Sequence, residues 1–184
     1  MRIAVSAIAA LLLAACTSQP DYREETAAPQ TVPSVDLTRY AGLWYEIARY
    51  PNWFERDCTG VTAEYGLKDD GTVSVTNTCF KVALDGEKKV AEGRARIVEG
   101  SGNSQLKVKF APSWVPFAEG DYWVLALEPD YSASLVGSPD GKYLWILSRR
   151  PQLAPAKLEA LKQRAEDLGY DSAPLEMTVQ AQQG

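Results

Sequence analysis

The sequence predicts an all-β protein: an eight-stranded antiparallel up-and-down barrel carrying one C-terminal α-helix on its outer wall. Three observations lead there. From residue 43 onward, apolar and polar residues alternate with period two; turn signals interrupt the alternation at short intervals; and the period shifts to that of a helix only once, after residue 154.

Each element follows from its local pattern. Leu43 to Arg49 forms the first strand. Val61–Tyr65 and Val73–Asn77 alternate on either side of Asp69-Asp70-Gly71, a strong hairpin turn. Further strands cover 90–98, 105–110 after Gly100-Ser101-Gly102-Asn103, and 121–127. The last two cover 133–137 after Glu128-Pro129-Asp130-Tyr131 and 143–148 after Pro139-Asp140-Gly141. Eight such strands close a barrel whose interior holds one small ligand. Pro155 suits a first helical turn; Leu158, Leu161, Ala165 and Leu168 share one stripe, and Gly169 stands at the stop. That stripe belongs on the barrel wall, with Leu175–Val179 as a short closing strand.

Ahead of the barrel, residues 1–15 read as a cleaved secretory signal, with basic Arg2 and an apolar run too short to span a bilayer. Leu13-Ala14-Ala15-Cys16 resembles the bacterial lipobox, which makes Cys16 the expected site of lipidation by thioether-linked diacylglycerol and an amide-linked acyl chain such as palmitate. Several acyl chains give permanent attachment. Thr17 is not the aspartate that resembles an inner-membrane retention signal, so the outer membrane is the expected address, with the barrel on the periplasmic side. Residues 16–35, with three prolines after the cysteine and no apolar periodicity, read as a flexible tether, leaving 36–184 as the domain.

Composition narrows the chemistry. The chain has no histidine, which removes imidazole acid–base catalysis, Ser-His triads and imidazole metal ligation together. Its three cysteines contain no CxxC pair, so no zinc or iron–sulfur site, and no cofactor, is expected. A net charge of −5 without a basic run argues against nucleic-acid or anionic-lipid binding by bulk electrostatics. The carboxylate pairs Glu24-Glu25, Asp69-Asp70 and Glu166-Asp167 fall on a tether, a hairpin tip and a helix face, where nothing perturbs them for catalysis. The sequence therefore points to binding, not to an enzyme. Cys58 and Cys79 flank the hairpin of the second and third strands. The residue across from Cys58 is Lys81 or Val82, so Cys79 falls about one pleat short, and a bulge or twist is needed to bring the pair together. In an oxidising compartment a Cys58–Cys79 disulfide is expected, with two free thiols as the alternative.

Asp36 to Ala48, with Gly42 and Trp44 as its Gly-x-Trp core, resembles the first lipocalin motif. Pro129-Asp130-Tyr131 and Trp145-Ile146-Leu147-Ser148-Arg149 resemble the other two, in the family's order. With the lipobox and Phe54-Glu55-Arg56, the match is to bacterial outer-membrane lipoprotein lipocalins, the apolipoprotein-D-like branch. The resemblance implies structural roles for Gly42, Trp44, Asp130, Tyr131 and Arg149: Trp44 plugs the closed end and Arg149 packs across it, a stacked cation that also donates to carbonyls.

Strand parity then assigns the lining. If Arg149 lies at the floor, Leu147, Trp145 and Tyr143 share its face and Trp145 points into the calyx. Val61, Ala63 and Tyr65 form the apolar face of the second strand. Tyr122 is favoured over Trp123 as the inward residue, together with Val124 and Ala126, while Trp123, Leu125 and Leu127 face the helix. No cation is evident inside, so a ligand's head group should stay near the mouth. Trp53, Phe54, Trp114, Val115 and Phe117 sit on loops at one end of the barrel, which the resemblance makes the open mouth, either as an exposed rim or folded inward as a lid. The implied function is storage or transport of a single-chain lipid, a lysophospholipid or fatty acid, for membrane maintenance. The alternative is a lipoprotein acting through protein contacts or homodimerisation at its aromatic rim.

Overall fold

The computed structural model describes residues 19–110 and 119–181. Nine strands follow a one-turn helix. They are α1 (Leu37–Tyr40), β1 (Gly42–Arg49), β2 (Cys58–Leu67), β3 (Val73–Lys81), β4 (Lys88–Ile97), β5 (Gln105–Lys109), β6 (Glu119–Leu127), β7 (Ala133–Gly137) and β8 (Leu144–Ser148), then α2 (Pro155–Asp167) and β9 (Glu176–Met177). Strands β2 to β8 pair in sequence order, β8 pairs with β1, and β1 returns to β2, so eight antiparallel strands close the barrel. The ninth is the expected closing strand. Past Tyr45 and Thr62 the β1–β2 pairing ends, and residues 176–180 fill the gap: β9 pairs with Ala48 and Arg49, and Gly60 donates to the Val179 carbonyl at 2.7 Å.

The sheet separates two apolar clusters. The outer one packs Ile47, Leu125, Leu135, Leu144 and Ile146 under Leu161, Ala165 and Leu168 of the α2 region, with Trp123 against it. The inner one holds Tyr40, Trp44, Tyr65, Val75, Val124 and Leu147, with Tyr122 and Trp145. Tyr122 thus faces in and Trp123 out, as parity requires. Two residues further the expectation fails. A bulge between Val124 and Ala126 inserts one residue and inverts the alternation, so Ala126 joins the outer cluster and Leu127 the inner one.

One end of the barrel is sealed. The Arg149 guanidinium lies 4.0 Å over the Trp44 ring and donates to the carbonyls of Arg39, Tyr40, Ala41 and Leu43 at 2.7–3.1 Å. Trp44 Nε1 donates to the Tyr40 carbonyl at 2.8 Å. Gly42 adopts φ +90°, the left-handed region that lets the chain turn from α1 into β1 beside that guanidinium. Sequence pattern alone did not predict α1. Asp36 caps it by accepting from the Thr38 and Arg39 amides. The β6–β7 turn then holds α1 down. The Asp36 amide donates to the Tyr131 hydroxyl at 2.9 Å, Arg39 stacks 4.0 Å over the Tyr131 ring, and Asp130 accepts from the Ser132 amide.

The N-terminal segment departs from expectation. Residues 19–35, expected to be part of a flexible tether, lie along the barrel wall. The Tyr22 amide donates to Gly141, buried Arg23 donates to the Leu168 carbonyl at 3.0 Å, and the Val32 and Val35 amides donate to Val124 and Gly102. Proline-rich composition signals extended chain, not absence of contacts; here the extended chain is a strap. Cys58 and Cys79 form the disulfide, with Cα atoms 5.5 Å apart. The residue opposite Cys58 is Lys81, and the bulge between Thr59 and Thr62, at Gly60 with φ +56°, brings Cys79 into reach. Closing a loop of sequence separation 21 contributes about 3 kcal/mol on chain-entropy grounds.

Arg149→Ala is expected to destabilise the fold by about 1–3 kcal/mol, since it removes a stacked cation and leaves several carbonyls without a donor. Arg150→Ala, at the exposed neighbouring position, should cost little. Urea unfolding of both variants checks this; equal losses would show that the floor does not depend on Arg149.

Candidate functional site

Above the sealed floor the interior opens into a cavity of about 350 Å³, within the range of small-molecule sites. Val61, Ala63, Tyr65, Tyr122 and Trp145 all line it. Below, a space of only about 20 Å³ lies among Val35, Tyr40, Leu106 and Val124, and Tyr65 and Tyr122 border both spaces. These two tyrosines partition the interior. The Tyr122 hydroxyl hydrogen-bonds that of Tyr40 at 2.9 Å, and Tyr40 donates to Ser134 Oγ at 3.2 Å, which in turn reaches the Ala126 carbonyl. The Tyr65 ring stands 5.8 Å from both Tyr40 and Tyr122. Burial pushes all three hydroxyls above the usual phenol range, so the partition stays neutral.

The upper wall is aromatic on one side and acidic on another. Tyr143 and Trp145 stack at 5.5 Å, and Phe54 meets Tyr143 at 5.7 Å. Glu46 and Glu55 line the same cavity, and neither was foreseen as a site residue. Glu46 could have been: it lies two residues after Trp44, on the same inward face of β1. Glu55 could not, because it sits in the irregular β1–β2 connection. Trp145 Nε1 donates to Glu55 Oε2 at 3.2 Å, and Asn52 Nδ2 donates to the same oxygen.

Arg49 is the buried cation the sequence did not reveal. A bulge between Glu46 and Ala48 sets Ile47 and Ala48 both outward and turns Arg49 back toward the interior. It does not line the cavity. Its guanidinium lies 3.3 Å from Glu46 and 3.7 Å from Glu55, and donates to the Glu55 carbonyl. Among the described lining residues the charged groups are Glu46, Glu55 and Asp121, with no Lys or Arg; Asp121 is paired to Lys107 at 2.6 Å. Residues 111–118 contain no charged residue in their sequence. Burial first, then the neighbouring Glu55 carboxylate, holds the Glu46 carboxyl well above the usual range, against the Thr178 hydrogen bond and the Arg49 charge. Asn77 Oδ1, also on the cavity wall, is buried without a donor.

At the open end Trp53 is 73% exposed, while Phe54 turns partly inward over the cavity. The rim is therefore divided between the two arrangements. Trp114, Val115 and Phe117 lie outside the described residues, as does Cys16. Among the described residues no group of His, Cys, Asp and Glu is arranged to hold a metal ion.

A family model described as a lipocalin-like domain matches residues 35–180. The chain is 38% identical over 157 residues to temperature-induced lipocalin-1 of Arabidopsis thaliana, covering 83% of each chain. It is 37% identical over 173 residues to the outer membrane lipoprotein Blc of Vibrio cholerae, covering 94% of this chain and 95% of that one. Insecticyanin from the tobacco hornworm Manduca sexta shares the fold with a TM-score of 0.66 at 23% identity, over 89% of this chain and 88% of the other.

Because its folded-state pKa is raised, Glu46 keeps a proton that the unfolded chain has lost, so its contribution to stability declines as pH rises above about 4.5. Glu46→Gln removes that decline. The stability of the variant relative to wild type should climb as pH rises above about 4.5 in urea titrations, whatever its offset from lost hydrogen bonds. A flat difference would show an ordinary carboxylate.

Proposed function

The chain belongs to the lipocalin family, and we propose that it is an outer-membrane lipoprotein that carries or stores a single-chain phospholipid. One observation carries the reading: a blind, largely apolar cavity whose inward-facing charged groups are acidic, with no cation lining it among the described residues. An acyl chain fits the apolar depth above Tyr65 and Tyr122, and the mouth is left for the head group. A fatty acid would bring its carboxylate toward the Glu55 carboxylate and the unpaired Asn77 oxygen, where a further anion is costly to bury. A lysophospholipid with an ammonium head and a glycerol hydroxyl offers donors instead, which suit two carboxyls and the unpaired Asn77 oxygen. The aromatic wall of Phe54, Tyr143 and Trp145 is suited to an ammonium group as well.

The outer-membrane placement is supported by the lipobox at Cys16 and by the name of the Vibrio cholerae relative. We read the product of lipidation as a permanent anchor that holds the barrel on the periplasmic side, where single-chain phospholipids arise during membrane turnover.

Tryptophan fluorescence tests the ligand and its place together. Lysophosphatidylethanolamine should change the emission of the wild-type protein, and Trp145→Phe should abolish most of the change. Oleate at neutral pH should bind about tenfold more weakly or worse, a difference of about 1.4 kcal/mol. Equal affinity for the two would contradict the acidic-wall argument. Loss of the response in Trp114→Phe and not in Trp145→Phe would move the ligand to the rim.

A further inference from the structure

Gln19, the first described residue, is held at the open end of the barrel: its side-chain amide donates to the carbonyls of Pro51, on the β1–β2 connection, and Lys142, on the β7–β8 turn. From there the strap runs toward the closed end, where Val35 bonds Gly102. Cys16 precedes Gln19 by three residues, and three residues of fully extended chain reach about 10 Å. The strands are 8 to 10 residues long in β1 to β4, which places the closed end roughly 25–30 Å away. An anchor on Cys16 can therefore bring the mouth to a bilayer, and it cannot bring the floor.

The mouth is also where the apolar surface lies. Trp53 on the β1–β2 connection and Val82 on the β3–β4 connection are 73% and 79% exposed, with Leu84 and Val179 beside them. These loops form one surface: the Val82 amide donates to the Asp57 carbonyl at 2.7 Å, Leu84 lies against Gly60, and the Val179 carbonyl accepts from the Gly60 amide. Among the described residues the closed end exposes only Leu43 and Leu67 as large apolar side chains, each by less than half. Val82 is strained as well as exposed. Its φ of 70° is unfavourable for a β-branched residue, so the loop holds an apolar side chain outward at an energetic cost.

We propose that the open end of the barrel docks on the bilayer that carries its own anchor, mouth down, with Trp53, Val82 and Leu84 seated in the interfacial region. The inference rests on the reading of Cys16 as the lipidated residue and extends the carrier function: the cavity opens onto the membrane, and a lipid moves between bilayer and calyx without crossing water. Tethering makes the docking intramolecular, so a rim too weak to hold a free protein on a membrane suffices once the anchor supplies the local concentration. Tryptophan at the rim matches the amphipathic side chain favoured at the head-group level.

The test uses the mature acylated protein, its acyl chains verified by mass, added to vesicles of phosphatidylethanolamine and phosphatidylglycerol brominated near the head-group end of the chains. Tryptophan emission should be quenched on these vesicles relative to unbrominated ones, and quenching in Trp53→Phe should fall to about half or less of the wild-type value. A new tryptophan at the opposite end, Asp70→Trp on the β2–β3 turn, should add no quenched emission. Quenching at Asp70→Trp, or none attributable to Trp53, overturns the proposal, as does a mass without acyl chains or a dimer in which Trp53 is shielded without vesicles. Lysophosphatidylethanolamine binding by unlipidated Cys16→Ala protein reads the carrier function separately, so either reading can fail alone.

Discussion

Everything in this barrel depends on how one end is closed. An eight-stranded barrel has an interior just wide enough for side chains or one small ligand, so a ligand cavity needs one end closed to stay dry. Here one guanidinium covers an indole face and takes up four main-chain carbonyls at once, a set of donors no other side chain could supply from one position. Those carbonyls belong to α1 and the start of β1, so Arg149 ties the last barrel strand to the entry of the first. Tyr131 and Asp36 hold α1 from the other side. With the floor fixed, Tyr40 can rise into the interior and support Tyr122, and this tyrosine layer sets the depth to which a ligand can descend.

The cavity above that layer is shaped by bulges in the barrel strands. The one in β1 turns Arg49 inward between Glu46 and Glu55, and neutralises part of an acidic pair that burial alone would make very costly. The arginine stays behind the wall; the carboxyls face the space. The outcome is a site poor in donors, with an orphaned acceptor at Asn77 and a neutral aromatic face opposite.

Period-two alternation made the barrel legible, and the strand-by-strand parity placed Trp145, Tyr122 and the β2 face correctly, because the buried interior leaves no freedom in which side each residue faces. Parity broke where bulges occur: Ala126 and Leu127 exchanged sides, and Arg49 went unnoticed. A bulge is fixed by tertiary closure and leaves no local mark except, as at Gly60, a glycine with positive φ. The same Gly60 bulge explains why Cys79 pairs with Cys58 although Lys81 lies opposite. Glu55 was hidden because an irregular loop has no period to read. The strap over 19–35 is illegible for a different reason: it is held by main-chain bonds and by the side chains of Gln19 and buried Arg23, which composition cannot distinguish from a solvated tether.

The strap also links the fold to its setting. By running from the mouth to the floor along the outer wall, it holds Gln19 at the cavity opening. Native mass spectrometry of protein purified without detergent reads the occupant of the calyx most directly. One single-chain zwitterionic phospholipid per protein, lost from Trp145 variants, is the predicted result. A protein that is consistently empty, or that carries a free fatty acid in place of the phospholipid, would contradict the account.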